Sequence, residues 1–124
     1  MPDPMSNTQA RTHVLLAEGP VVTLPDVQSL IEIALYGGGD WIQKIRYPDG
    51  IKSRDEAVAH MWEHSSYIEF KPWDDPAAPL TTDGLLDAIR AEPELYESVI
   101  SGEGDQVDAD MILQRALFNE VVFG

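Results

Sequence analysis

"PWDDPAAP", residues 72–79, carries three prolines in eight positions and separates two unlike halves of the chain. Before it, short β-rich runs alternate with helical patterns. After it, every apolar pattern has helical spacing. A stretch so rich in proline reads as a linker within one domain, and 124 residues are about the length of one.

Upstream, "SYIEFK" (66–71) sets Tyr67 and Glu69 opposite Ile68 and Phe70, the alternation of a half-buried strand. "SRDE" (53–56) has capping-box spacing and predicts a helix to about residue 65, with Val58, Met61 and Trp62 inward. "WIQKIRY" (41–47) is β-favouring, although its alternation is imperfect, and "YPDG" ends it in a turn. "PDVQSLIEIALY" (25–36) repeats Val27, Leu30, Ile31, Ala34 and Leu35 at three and four, so a helix opening at Pro25 is predicted. Gly37–Gly39 follow that helix. A phosphate-binding loop precedes its helix, so these glycines read as a C-cap. "HVLLAEGPVVTL" holds two short runs, 13–17 and 21–24, around a Gly-Pro turn, the pattern of a small hairpin. Residues 1–12 read as a mobile lead-in.

Downstream, Thr81 or Thr82 caps "DGLLDAIRA" (83–91). Pro93 opens "PELYESVI" (93–100), where Leu95, Tyr96, Val99 and Ile100 form a stripe closed by Gly102. A last helix is predicted over about 107–122. Met111, Ile112, Ala116 and Leu117 face inward there, with one or more of Leu113, Phe118, Val121 and Val122. The expected class is α+β: a small antiparallel sheet with two helices in 13–71, then a helical cluster in 80–124. Strands are expected only before about residue 70.

An apolar fraction of 44% with three tryptophans is enough for an ordinary core. The absence of cysteine removes disulfides, thiolate nucleophiles and cysteine-based zinc sites. No apolar run approaches the roughly 20 residues of a membrane helix, and the opening residues hold no secretory pattern. A soluble, cytoplasmic chain is expected.

Charge is the outlying property: 22 acids against eight bases give −14. Residues 1–72 carry ten acids and six bases, a net of −4, and within them 41–72 is balanced at five each. Residues 73–124 carry twelve acids and two bases, Arg90 and Arg115, a net of −10. A general bias, including that of salt-loving organisms, would also acidify residues 41–72.

Within this half, "ISGEGDQVDAD" (100–110) sets Glu103, Asp105, Asp108 and Asp110 close together. Counted from Asp105, an EF-hand would need a ligand at Val107 and glycine at Asp110, so calcium spacing fails. Asp105 or Asp108 is expected to cap the last helix. "HMWEH" (60–64) matches a zinc-protease pattern, with His60 and His64 on one helical face and Glu63 as general base. Glu56 is then a possible third ligand. A small metal-dependent hydrolase is therefore an alternative, although both histidines fall near the polar side of their helix. No serine lies in a G-x-S-x-G elbow. No cofactor is expected. Lys44, Arg46, Lys52 and Arg54 cluster, but five acids of the same segment offset them, so direct nucleic-acid binding is not expected.

The remaining acids read as one surface. Asp74 and Asp75 lie in the linker, Asp83 and Asp87 are four apart, and Glu94 and Glu97 are three apart. Like-charge neighbours at such spacing cost a few tenths of a kcal/mol per pair, roughly 0.2–0.5. The expected function is an inhibitor that imitates nucleic acid and occupies a basic groove on a nucleic-acid-handling protein, as phage antagonists of CRISPR complexes or restriction enzymes do. An acidic adaptor of other purpose is the alternative. The expected contact residues are Asp74, Asp75, Asp83, Asp87, Glu94, Glu97, Glu103, Asp105 and Asp108. Trp73 or Tyr96, where one is exposed, is expected to be the aromatic anchor.

Overall fold

In the computed structural model, which describes residues 13–15, 21–36 and 40–123, the N-terminal part runs β1 (His13–Leu15), β2 (Val21–Thr23), α1 (Leu24–Leu35), β3 (Ile42–Arg46) and α2 (Arg54–His64). It continues through β4 (Ile68–Pro72), β5 (Ala78–Leu80), α3 (Thr82–Ala91), α4 (Pro93–Ser101) and α5 (Gln106–Phe118). The predicted lead-in, the Gly-Pro turn and the Gly37–Gly39 cap lie outside the described residues.

β1 and β2 pair antiparallel, with His13 opposite Thr23. β3, β4 and β5 form a separate antiparallel sheet in that order. The class is α+β, as the sequence pattern predicts. The uneven alternation of β3 has a cause. Its register against β4 shifts between Ile42 and Lys44, so Gln43 is an extra residue and Ile42 and Ile45 both pack against the core despite their odd spacing.

Side-chain caps start four helices. Thr23 accepts from Asp26 N at 3.3 Å, Ser53 from Glu56 N at 3.2 Å and Thr81 from Gly84 N at 3.0 Å. At α5 the box is reciprocal: Asp105 accepts from Asp108 N at 3.1 Å, and Asp108 accepts from Asp105 N at 3.2 Å. Both aspartates therefore cap, and Pro25 lies within the first turn of α1.

One cluster of buried side chains joins the two halves, from Val22 on β2 to Leu113 on α5. α5 is its hub and packs on α1, α3 and α4. Gly84 permits the close approach of α3 to α5, since a Cβ there would lie 2.9 Å from the Ala116 carbonyl oxygen. Burial of the stripes Val27–Leu30–Ile31–Ala34 and Leu85–Ala88–Ile89 is what their spacing predicts.

The structure departs from the sequence reading at two places. β5 takes in the end of the stretch read as a linker and Leu80, the first residue expected to be helical, so strands continue beyond residue 70. Its Pro79, opposite Glu69, is tolerated because β5 is an edge strand, where a missing N–H breaks no ladder. The last helix ends at Phe118 rather than near residue 122. Asn119 takes left-handed geometry (φ 65°), and residues 121–123 turn back along the helix.

Candidate protein-binding surface

Each acid of the expected surface, apart from the half-buried Asp108, is exposed. Asp74 and Asp75 sit in the β4–β5 turn. Asp83 and Asp87 lie one turn apart on α3, as Glu94 and Glu97 do on α4, and Glu103 lies in the α4–α5 loop. Asp105 and Asp108 are brought together by the capping box, so part of their hydrogen-bonding capacity is used within the chain.

Both bases of this half are committed. Arg90 pairs with Asp87 at 2.7 Å, and Arg115 pairs with Glu92 at 3.2 Å. Ten of the twelve acids after Pro72 therefore have no cation beside them among the described residues. The Arg115–Glu92 bridge also ties α5 to the α3–α4 junction.

Tyr96 is not an anchor. It is only 1% exposed, because in the Leu95–Tyr96–Val99–Ile100 stripe it points to the centre of the helical cluster. Its hydroxyl has no hydrogen-bond partner among the described residues. Burial, and to a lesser degree the carboxylate of Asp26, pushes its pKa well above the ordinary value of 10.0. Trp73, by contrast, is 59% exposed, with its Nε1 donating to the Asp40 carbonyl at 3.1 Å.

Sequence reading missed the terminal segment. Gln114 is fully buried and holds that segment with both ends of its amide. Its Oε1 accepts from Val122 N at 2.9 Å and Phe123 N at 2.7 Å. Its Nε2 donates to the Phe123 carbonyl at 2.9 Å and to Asp110 Oδ2 at 2.7 Å. Trp41 stacks on Phe123 and meets Phe118 edge-on at 5.8 Å. Between this segment and the β4–β5 turn lies a groove of about 380 Å³, lined by Asp75, Pro76, Ala77, Ala78, Phe118, Val122 and Phe123. Gln114, the one buried polar residue among the described residues, was the available signal.

No protein-family model, curated protein or solved structure matches this chain.

The histidine motif has its own setting. The rings of His60 and His64 lie 4.7 Å apart, centroid to centroid, on α2. His64 and Glu63 are exposed, while His60 Nδ1 lies 2.7 Å from Ser66 Oγ. Among the described residues no three His, Asp or Glu side chains converge on a point that could hold a metal ion. Ser66 also lines a hollow of about 260 Å³ with Arg46, Tyr47, Pro48, Asp49, Tyr67 and Glu69. No described helix is long and apolar enough to cross a membrane.

Proposed function

We propose that this chain is an acidic, protein-binding inhibitor that occupies a basic nucleic-acid-binding groove on its target in place of the nucleic acid. The observation that carries the reading is the commitment of Arg90 and Arg115 to Asp87 and Glu92. Those pairs offset two of the twelve acids, and the ten left without a cation beside them dominate the field of the helical half. Exposed acids at helical spacing on α3 and α4, together with those of the α4–α5 loop and the β4–β5 turn, present negative charge from a packed framework. A groove built to neutralise phosphates meets the same sign of charge there, and the encounter is accelerated by electrostatic steering. The balanced charge of residues 41–72 supports a local purpose rather than a general acidic bias. Inhibitors of CRISPR complexes and restriction enzymes carried by phages are the class in which such a decoy serves.

The test is capture of proteins from host lysate on the immobilised chain at low and at high salt, with the bound proteins identified. Basic nucleic-acid-handling proteins retained at low salt and released at high salt support the reading. Retention of a partner without a basic groove, indifferent to salt, excludes it.

A further inference from the structure

We propose that the groove between the β4–β5 turn and the terminal segment seats an apolar side chain of the partner, presented on a segment flanked by lysine or arginine. This rests on the reading of the acidic half as a surface for a basic protein, and it adds where the contact gains apolar burial.

The walls favour such an occupant. Pro76, Ala77 and Ala78 form one side, and Phe118, Val122 and Phe123 the other. Pro76 has no N–H to offer, and the N–H groups of Val122 and Phe123 already donate to Gln114, so these three positions present no free donor to the groove. The aromatic wall is fixed beforehand, because Phe118 and Phe123 both pack on Trp41 and on each other at 5.9 Å. A volume of about 380 Å³ is near the small end of ligand pockets, which run from roughly 300 to 1,000 Å³. It suits one or two large side chains.

Charge decides what flanks them. Asp75 lines the groove, Asp74 is exposed beside it, and Glu120 is exposed in the terminal segment. The two cations nearest in sequence are engaged elsewhere: Arg115 pairs with Glu92 at 3.2 Å, and Lys71 is turned to the Pro72 carbonyl at 2.6 Å. Trp73, exposed at the start of the turn, offers a ring face to an arginine. An apolar side chain between cations fits this rim, whereas one between acids meets like charge.

The experiment titrates the isotopically labelled full chain with three blocked hexapeptides at low ionic strength, followed by NMR. They are Lys-Arg-Leu-Phe-Arg-Lys, its Ser-Ser counterpart Lys-Arg-Ser-Ser-Arg-Lys, and the acid-flanked Glu-Asp-Leu-Phe-Asp-Glu. The first should shift the amides of Ala77, Ala78 and Val122 and the indole of Trp41. It should bind about 10-fold more tightly than the Ser-Ser peptide, the difference expected for burying one large apolar side chain. Ala77→Trp, at an exposed turn position, should fill the groove and abolish that advantage without changing binding of the Ser-Ser peptide. Equal affinity of the two cationic peptides, shifts confined to α3 and α4, or no response to either overturns the proposal. So does equal binding of the acid-flanked peptide. Nucleic-acid mimicry is judged separately, by competition with nucleic acid, so its failure and the failure of the groove are distinguishable.

Discussion

The Trp41 indole lies flat on the ring of Phe123, with centroids 5.1 Å apart and 3° between the planes. Its Nε1 donates to Asp110 Oδ1 at 2.9 Å. One side chain just before β3 thus holds α5 through a hydrogen bond and the terminal segment through stacking. Gln114 completes the arrangement from within α5. The groove exists because these contacts fold the last residues back.

Gln114→Leu keeps a side chain of similar bulk but removes all four hydrogen bonds. The terminal segment should leave Trp41, seen as a red shift of indole fluorescence, with a loss of about 1–3 kcal/mol in urea unfolding. Unchanged fluorescence would mean that stacking alone holds the segment.

Gly84→Ala should destabilise the protein by about 1–2 kcal/mol, although alanine is ordinarily the better helix former by about 1 kcal/mol. The added methyl would press on the backbone oxygen of Ala116, which cannot rotate away. Chemical denaturation measures the sign. A stabilised variant would show that α3 and α5 have room to separate.

Tyr96→Phe should be neutral or slightly stabilising at pH 7, since it removes a buried hydroxyl that has no partner. The difference should grow in alkali. The folded state holds the phenol proton above the ordinary pKa of 10.0, whereas the unfolded chain releases it there. The tyrosine form therefore keeps its full stability below pH 10.0 and loses stability as pH rises beyond it. Melting temperatures of the two proteins at neutral and alkaline pH test this, and parallel curves would refute it.

Glu97→Gln combined with Glu103→Gln removes two exposed charges, neither in a first helical turn nor in a cap. Folding stability should stay within about 0.5 kcal/mol. Association with the captured partner should slow and become less sensitive to salt, while dissociation changes little. Stopped-flow or surface-based kinetics separate the two rates.

Helices were legible where periodicity and caps agreed, as at Ser53, Thr81 and Asp105. β5 was not legible, because proline signals a break and only the neighbouring strand reveals an edge position that tolerates it. The end of α5 was hidden for a related reason: Leu117, Phe118, Val121 and Val122 continue a helical pattern, and the competing partner, Gln114, bonds residues eight and nine positions away. The acids of the surface could be read from composition and spacing. The groove could not, since Asp75–Ala78 and Phe118–Phe123 lie about 40 residues apart and meet only through the fold. Tyr96 shows the limit of a stripe: spacing placed it on the apolar face, and the depth of that face decided that it could not serve as an anchor.

The most direct measurement is competition on the partner. The complex formed with the immobilised chain at low salt is challenged with excess duplex DNA or with guide RNA. Release of the partner in proportion to added nucleic acid, with no binding of nucleic acid to the chain itself, is the predicted result. A complex that survives both excess nucleic acid and high salt would contradict mimicry and would point to an apolar interface instead.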